Sequence, residues 1–214
     1  MSARDNILGR IRTALGKSAA RGERDEINAY IEQHTAGPRP QAEWNPVVRF
    51  RECASSLASS VDQVASMDQA PSAIARYLRE QGLPLQAVCW PELGRLDWAA
   101  QGMRVAARPA NGSDVVGITG AFCAIAETGT LVMLSGQDTP LVTSLLPETH
   151  IAVIDVARIV NTMEQAWDLL RSERSMIPRA VNFISGPSRT ADIEQTIVLG
   201  AHGPYRVHVV IVQR

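Results

Sequence analysis

GITGAFCAIAETGTLVMLS, residues 117–135, interrupts an otherwise regular alternation of helical and extended patterns. Three apolar runs follow one another here, at 115–119, 122–126 and 130–134, and Glu127-Thr128-Gly129 joins the last two. A glycine in so short a join between β-rich runs predicts a hairpin, with Gly129 free to take a positive φ. Glu127 then stands at the strand edge beside the turn. The flanking apolar runs predict a partly buried, perturbed carboxylate there, suited to acid-base work. The plainer alternative is a solvated glutamate at a hairpin end, with Thr128 and Thr130 supporting the turn.

Outward from the hairpin, helices and strands alternate. Upstream, a helix near 47–60 precedes a strand at 61–66, and Pro71 opens a helix that runs through Glu80 and stops at Gly82. Strands at 85–90 and 103–106 follow. Downstream come a short helix at 140–146, a strand at 151–155 and a helix at 163–171 with Met163, Ala166, Trp167 and Leu170 facing inward. Strands at 180–184 and 206–212 complete the series. Repeated β and α elements with short connections predict an α/β fold with a largely parallel sheet covered by helices.

A second Gly-rich stretch, ISGPSRTADIEQTIVLGAHGP at 184–204, is the natural partner of the first. A strand, then SGPSRT, then a helix over 190–200 would aim free N-terminal amides at a ligand crevice. Arg189 adds a cation, and Ser188 and Thr190 add hydroxyls, a set suited to a carboxylate or phosphate. An ordinary helix cap explains the same residues, with Asp192 and Glu194 complementing the helix dipole. Neither G-x-x-x-x-G-K-[ST] nor G-x-G-x-x-G occurs, which disfavours a P-loop or a standard dinucleotide site. His150, at the mouth of a strand, and His202, in a Gly-rich reversal, are candidate rim residues for ligand contact or proton transfer; backbone capping is the alternative for His150. No ligand spacing supports a metal between them.

Composition sets the bounds. The 214 residues, 45% of them hydrophobic, suffice for one α/β domain plus an appendage. A net charge of −1 gives no drive towards nucleic acid. Cys53, Cys89 and Cys123 are scattered and odd in number, as expected of reduced thiols in a cytoplasmic protein without its own iron–sulfur cluster or structural zinc. The charged start lacks a signal-peptide core, and no run is long enough for a membrane span. Residues 1–46 read as a helical arm and extended linker, with Ile7, Leu8, Ile11 and Leu15 on one helical face. That arm either packs on its own domain or docks a partner, a second copy of the chain included.

Taken together, GITGAFCAIAETGTLVML, PETHIAVID, ISGPSRTADIE and GAHGP, in that order, resemble the LUD-domain family and within it the lactate utilization protein C, or YkgG, group. The resemblance covers residues 47–214. It implies a three-layer α/β sandwich with a mainly parallel sheet, like the NagB, ribose-5-phosphate isomerase and CoA-transferase group. It also implies a bacterial role in oxidising L-lactate to pyruvate with iron–sulfur partner proteins, the clusters residing on those partners. The family pattern marks Thr119, Glu127, Thr128, Gly129 and Thr130, then Pro147 and His150, then Gly186, Pro187, Ser188, Arg189, Thr190, Asp192 and Ile193, and finally Gly200, His202, Gly203 and Pro204. Phe122-Cys123 departs from the smaller or more polar pair expected of relatives.

Three functions follow as expectations. In the first, a subunit of the lactate-oxidising system binds a small anion (lactate, pyruvate, phosphate or a CoA-like group) through Thr119, Gly120, Arg189 and the neighbouring turns, with Glu127 or His150 as base. In the second, the chain is a non-catalytic assembly or regulatory module. A weaker third, by fold analogy, is acyl transfer from CoA with Glu127 as nucleophile.

Overall fold

The computed structural model describes residues 2–16, 21–33, 35, 37–38, 43–190 and 198–213. The chain divides into two units, Met1–Gln41 and Ala42–Arg214. The first carries α1 (Ala3–Ala14) and α2 (Arg21–Glu32). α1 opens on a capping box in which Ser2 Oγ accepts from Asp5 N at 3.2 Å and Asp5 Oδ2 accepts from Ser2 N at 3.0 Å. Its apolar face stays exposed, with Ile7, Leu8, Ile11 and Leu15 all open to solvent. Among the described residues, no helix is long and apolar enough to cross a membrane.

The second unit runs α3 (Pro46–Ser56), β1 (Ser60–Val64), α4 (Ala70–Glu80), β2 (Gln86–Cys89), β3 (Arg104–Ala107), β4 (Val116–Thr119), β5 (Cys123–Ile125) and β6 (Thr130–Leu134). It continues with α5 (Val142–Leu145), β7 (Thr149–Asp155), β8 (Ile159–Val160), α6 (Met163–Glu173), β9 (Val181–Ile184), β10 (Arg189–Thr190), β11 (Val198–Leu199) and β12 (Arg206–Val212). Asn45 caps α3, with its side chain accepting from Val47 N and Val48 N, and Pro46 occupies the first turn, where a missing N–H costs nothing. The predicted hairpin is present: β5 and β6 pair antiparallel, Ile125 opposite Thr130, and Gly129 has φ +64°.

Six strands form a wholly parallel sheet in the order β1-β12-β7-β4-β2-β3, the mainly parallel α/β sheet expected from the sequence. A second, four-stranded sheet in the order β8-β5-β6-β9 was not foreseen. Side-chain alternation shows why it must exist. On β7 and β12, Ile151, Val153, Val210 and Val212 face α4, where they meet Ile74 and Leu78. Their neighbours Ala152, Ile154, Val209 and Ile211 face the other way, onto Ala124, Leu131, Met133 and Ile184 of the second sheet and Phe50 of α3. The second sheet's outer face, Cys123, Ile125, Val132 and Leu134, is covered by Ala166 and Leu170 of α6. The order of layers is therefore α4, parallel sheet, mixed sheet, α6. Strands covered on both faces read as unbroken apolar runs rather than alternating ones, as TLVML in β6 does.

Two glycines permit close approaches of helix backbone to the sheets. A Cβ at Gly117 would lie 2.1 Å from Thr143 O of α5, and one at Gly129 would lie 2.4 Å from Ala54 N of α3. Gly129 also needs its left-handed backbone, which costs other residues roughly 1–2 kcal/mol. Gly82 shares the sign of φ, at +64°, but a Cβ there would meet nothing within 4 Å. We expect Gly129→Ala to destabilise the protein by more than about 2 kcal/mol and Gly82→Ala by about 1 kcal/mol, as read by equilibrium urea unfolding. Equal losses would mean that contact with α3 contributes nothing.

Candidate functional site

The first Gly-rich turn and the second meet around the C-terminal end of α3. Thr128 Oγ1 lies 2.8 Å from Thr130 Oγ1, which lies 2.7 Å from Ser185 Oγ, so a chain of hydroxyls runs between the two motifs. Gly186 adopts φ +83°, and a Cβ there would fall 2.4 Å from Leu57 O at the end of α3. Arg189 Nη2 donates to that same carbonyl at 3.4 Å. Thr128, Gly129, Thr130, Gly186 and Arg189 are thus gathered where a helix exposes its carbonyl end. The partial negative charge of that end favours a cation such as Arg189 and disfavours an anion.

Glu127, half-buried beside the turn, reaches the opposite kind of helix end. Its Oε1 accepts from Met163 N at 2.8 Å, in the first turn of α6, while its carbonyl accepts a 3.5 Å contact from Cys53 Sγ. A carboxylate at a helix N-terminus satisfies an orphan amide and complements the dipole, a fold-holding role.

His150 is fully buried in β7 and so lies inside the sheet, not on a rim. Register explains this: His150 sits opposite Gly117 in the interior of the parallel sheet, where the missing side chain lets the backbone of α5 close over the strand. Its Nε2 lies 2.8 Å from Thr119 Oγ1, and burial pushes its pKa down to about 4. It is neutral at physiological pH. Sequence reading overlooked a second such residue, His208, which stacks on Tyr77 at 3.9 Å, bonds Ser60 Oγ through Nδ1 at 2.8 Å and is likewise pushed by burial to about 4. Asp62 is 3.9 Å from His208 Nε2, but with the ring neutral its true partner is Arg76, at 2.6 Å. Among the described residues no hydrogen bond or ion pair joins Glu127 to His150.

The helix expected straight after SGPSRT is replaced at both its ends by a two-stranded ribbon. Arg189–Thr190 (β10) pairs antiparallel with Val198–Leu199 (β11), because alternate backbone groups find partners across the ribbon. Residues 191–197, including Asp192 and Ile193, lie outside the described residues. The ribbon brings the last two motifs together. Ser188 N donates to Pro204 O and Gly200 N to Ser188 O, both at 2.9 Å, while His202 N donates to Ser188 Oγ at 3.4 Å. Pro187 is half-buried, His202 is exposed, and a Cβ at Gly203 would touch Ser188 Cβ at 3.3 Å.

A cleft lies elsewhere, at the C-terminal ends of three adjacent parallel strands. Trp90 and Glu92 follow β2, Ala121 and Phe122 follow β4, and Arg158 follows β7; with Arg174 and the loop 135–139 they line a cleft of about 500 Å³. The strand order places a topological switch here, because the chain leaves β2 for β3 on one side and β4 for β7 on the other. Open α/β sheets bind ligands at such a point, where diverging connections leave a crevice. Gly120 belongs to this edge: a Cβ on it would fall 2.5 Å from Glu92 Oε1 and 3.6 Å from the Trp90 ring. Arg158 is bound to Glu173 by two bonds, of 2.6 and 2.9 Å, and donates through Nε to Phe122 O at 2.8 Å. The pair holds Arg158 above and Glu173 below their ordinary pKa values, through hydrogen bonding to each other. Of these residues, Trp90 and Glu92 were within reach of the sequence, since the first ends a predicted strand and the second follows it. Arg158 and Arg174 carry no local signal.

Known proteins resemble this chain in both sequence and fold. The LUD domain profile matches residues 47–212. Lactate utilization protein C of Bacillus subtilis (strain 168) is 33% identical over 159 residues, which cover 71% of this chain and 66% of that protein. Lactate utilization protein C of Halalkalibacterium halodurans is 42% identical over 101 residues, covering 46% of this chain and 44% of that one. The chain therefore spans just under two thirds of the first of these relatives and less than half of the second. The crystal structure of a DUF162 family protein from Deinococcus radiodurans matches with a TM-score of 0.60 at 23% identity, over 81% of this chain and 99% of that one, a likeness of fold.

The two buried histidines make stability depend on pH. Their folded pKa values, about 4, lie below the ordinary 6.5, so between those values the unfolded chain binds protons that the fold excludes. Stability is full above about pH 6.5 and falls as the pH drops towards 4, by roughly 2–3 kcal/mol for each histidine. Urea unfolding at pH 7 and pH 5 should show this loss, and a His208→Gln variant should show a shallower dependence. A flat profile would mean that both rings protonate within the fold.

Proposed function

This chain belongs to the LUD-domain family, and from that premise we propose that it is a subunit of a bacterial L-lactate utilisation system. Such a system oxidises L-lactate to pyruvate together with iron–sulfur partner proteins, and this subunit binds a small anionic ligand. One observation carries the reading: a 33% identity that extends over 71% of this chain, to a relative named lactate utilization protein C. In this reading the redox centres reside on the partner proteins.

The geometry favours a binding role over proton abstraction by Glu127 or His150. A base must reach the proton it takes. Glu127 holds the first turn of α6, and His150 is sealed within the sheet. The same helix contact argues against Glu127 as the nucleophile of an acyl transfer. A second reading, a non-catalytic assembly subunit of the same cytoplasmic system, is favoured by the exposed apolar face of α1 and by exposed Ile27, Tyr30 and Ile31 on α2.

Reconstituting lactate oxidation from the partner proteins with and without this chain tests the main reading. Turnover should require the chain, and an undiminished rate in its absence would end the proposal. Glu127→Gln keeps an oxygen for Met163 N, and we expect activity within about threefold of wild type; a loss of about 100-fold or more would reinstate Glu127 as base or nucleophile. Removing residues 1–41 should leave the fold of the second unit intact while abolishing co-purification with the iron–sulfur proteins, if the arm is the docking element. Retained co-purification would exclude the arm.

A further inference from the structure

We propose that the cleft at the switch point between β2 and β4 binds a hydroxy acid, its carboxylate held by Arg174 and its hydroxyl donating to Glu92. The choice of a hydroxy acid rests on the lactate reading above; the location of the site does not. Two cations line the cleft, and only one is free to serve. Arg158 already commits its guanidinium to Glu173 and Phe122 O. The Arg174 side chain has no hydrogen-bond or ion-pair partner among the described residues. It sits at the residue where the chain leaves α6, with φ −128° and ψ 126°, so its side chain departs from the helix surface and lines the cleft instead.

Glu92 supplies the complementary group. Its carboxylate overlies Gly120, where any side chain would displace it, and it too has no hydrogen-bond or ion-pair partner among the described residues. Asp138, on the loop 135–139, is a second carboxylate in the lining without a hydrogen-bond or ion-pair partner among the described residues. A lining that offers one open guanidinium and two open carboxylates suits a ligand carrying one anion and hydrogen-bond donors. It penalises a purely anionic ligand, which would face Glu92 across the cleft without a proton to share. Lactate meets the requirement, and pyruvate, lacking the hydroxyl, does not. Size adds a further condition. The cleft, at about 500 Å³, exceeds a three-carbon acid several-fold, so longer hydroxy acids such as gluconate fit as well.

Isothermal titration of the full chain with L-lactate, gluconate and pyruvate tests the site. We expect millimolar binding of the two hydroxy acids, with pyruvate weaker by about fivefold or more. Arg174→Gln should weaken hydroxy-acid binding by about tenfold or more, Arg174→Lys should retain most of it, and Glu92→Gln should erase the preference for lactate over pyruvate. Arg189→Gln, at the end of α3, should change nothing. The proposal fails if no hydroxy acid binds up to about 50 mM, or if Arg189→Gln rather than Arg174→Gln abolishes binding. If lactate oxidation requires the chain yet neither cleft variant alters binding, the system assignment stands and this site falls. If a hydroxy acid binds through Arg174 while oxidation proceeds without the chain, the site stands and the assignment falls.

Discussion

The apolar contact between the inner faces of the two sheets is the interaction on which the rest of this protein depends. Ala152, Ile154, Val209 and Ile211 of the parallel sheet are buried against Leu131, Met133 and Ile184 of the mixed one. Each large aliphatic side chain so buried stabilises the fold by about 1.5–3 kcal/mol. That contact requires the β5–β6 hairpin to leave the parallel sheet after β4 and cover it before the chain returns as β7. The excursion has local consequences. The hairpin turn is driven onto the backbone of α3, where Gly129 fits, and the outer face of the mixed sheet needs α6 to cover it.

The same excursion shapes the surface chemistry. Two helix ends lie beside Gly-rich turns, and they differ in sign. The C-terminal end of α3 collects Gly129, Gly186 and Arg189, a cation answering exposed carbonyls, while the N-terminal end of α6 collects Glu127, an anion answering an exposed amide. Both arrangements are electrostatically satisfied within the fold. The cleft at the end of β2, β4 and β7 differs, because it leaves Glu92 and Arg174 open while Arg158 is closed by Glu173. Open charge in a concavity marks a site better than paired charge at a turn does.

Most of the elements were legible in the sequence because each rests on local chemistry. Pro71 and Gly82 bracket α4, and the ETG join with its positive-φ glycine makes the β5–β6 turn. Two readings met a tertiary override. The helix expected over 190–200 gives way at its described ends to a ribbon, since Ser188 is held to Pro204 and Gly200 at the base of the reversal. His150 follows a PET turn and looks peripheral. The parallel register sets it opposite Gly117 and beneath α5, where water cannot reach it.

What the sequence determined by itself was the class of the fold and the conformation of the β5–β6 glycine turn, because periodicity and backbone sterics act over a few residues, together with the family, through the resemblance of four ordered motifs. What only the tertiary structure decided was which side chains share an environment. Glu127 meets Met163, Thr130 meets Ser185 and Arg174 joins Trp90 and Glu92 through packing that spans distant parts of the chain. No local pattern encodes such neighbours. They follow from the order β7-β4-β2 and from the second sheet lying across it, and both are set by burial of apolar surface summed over the whole domain.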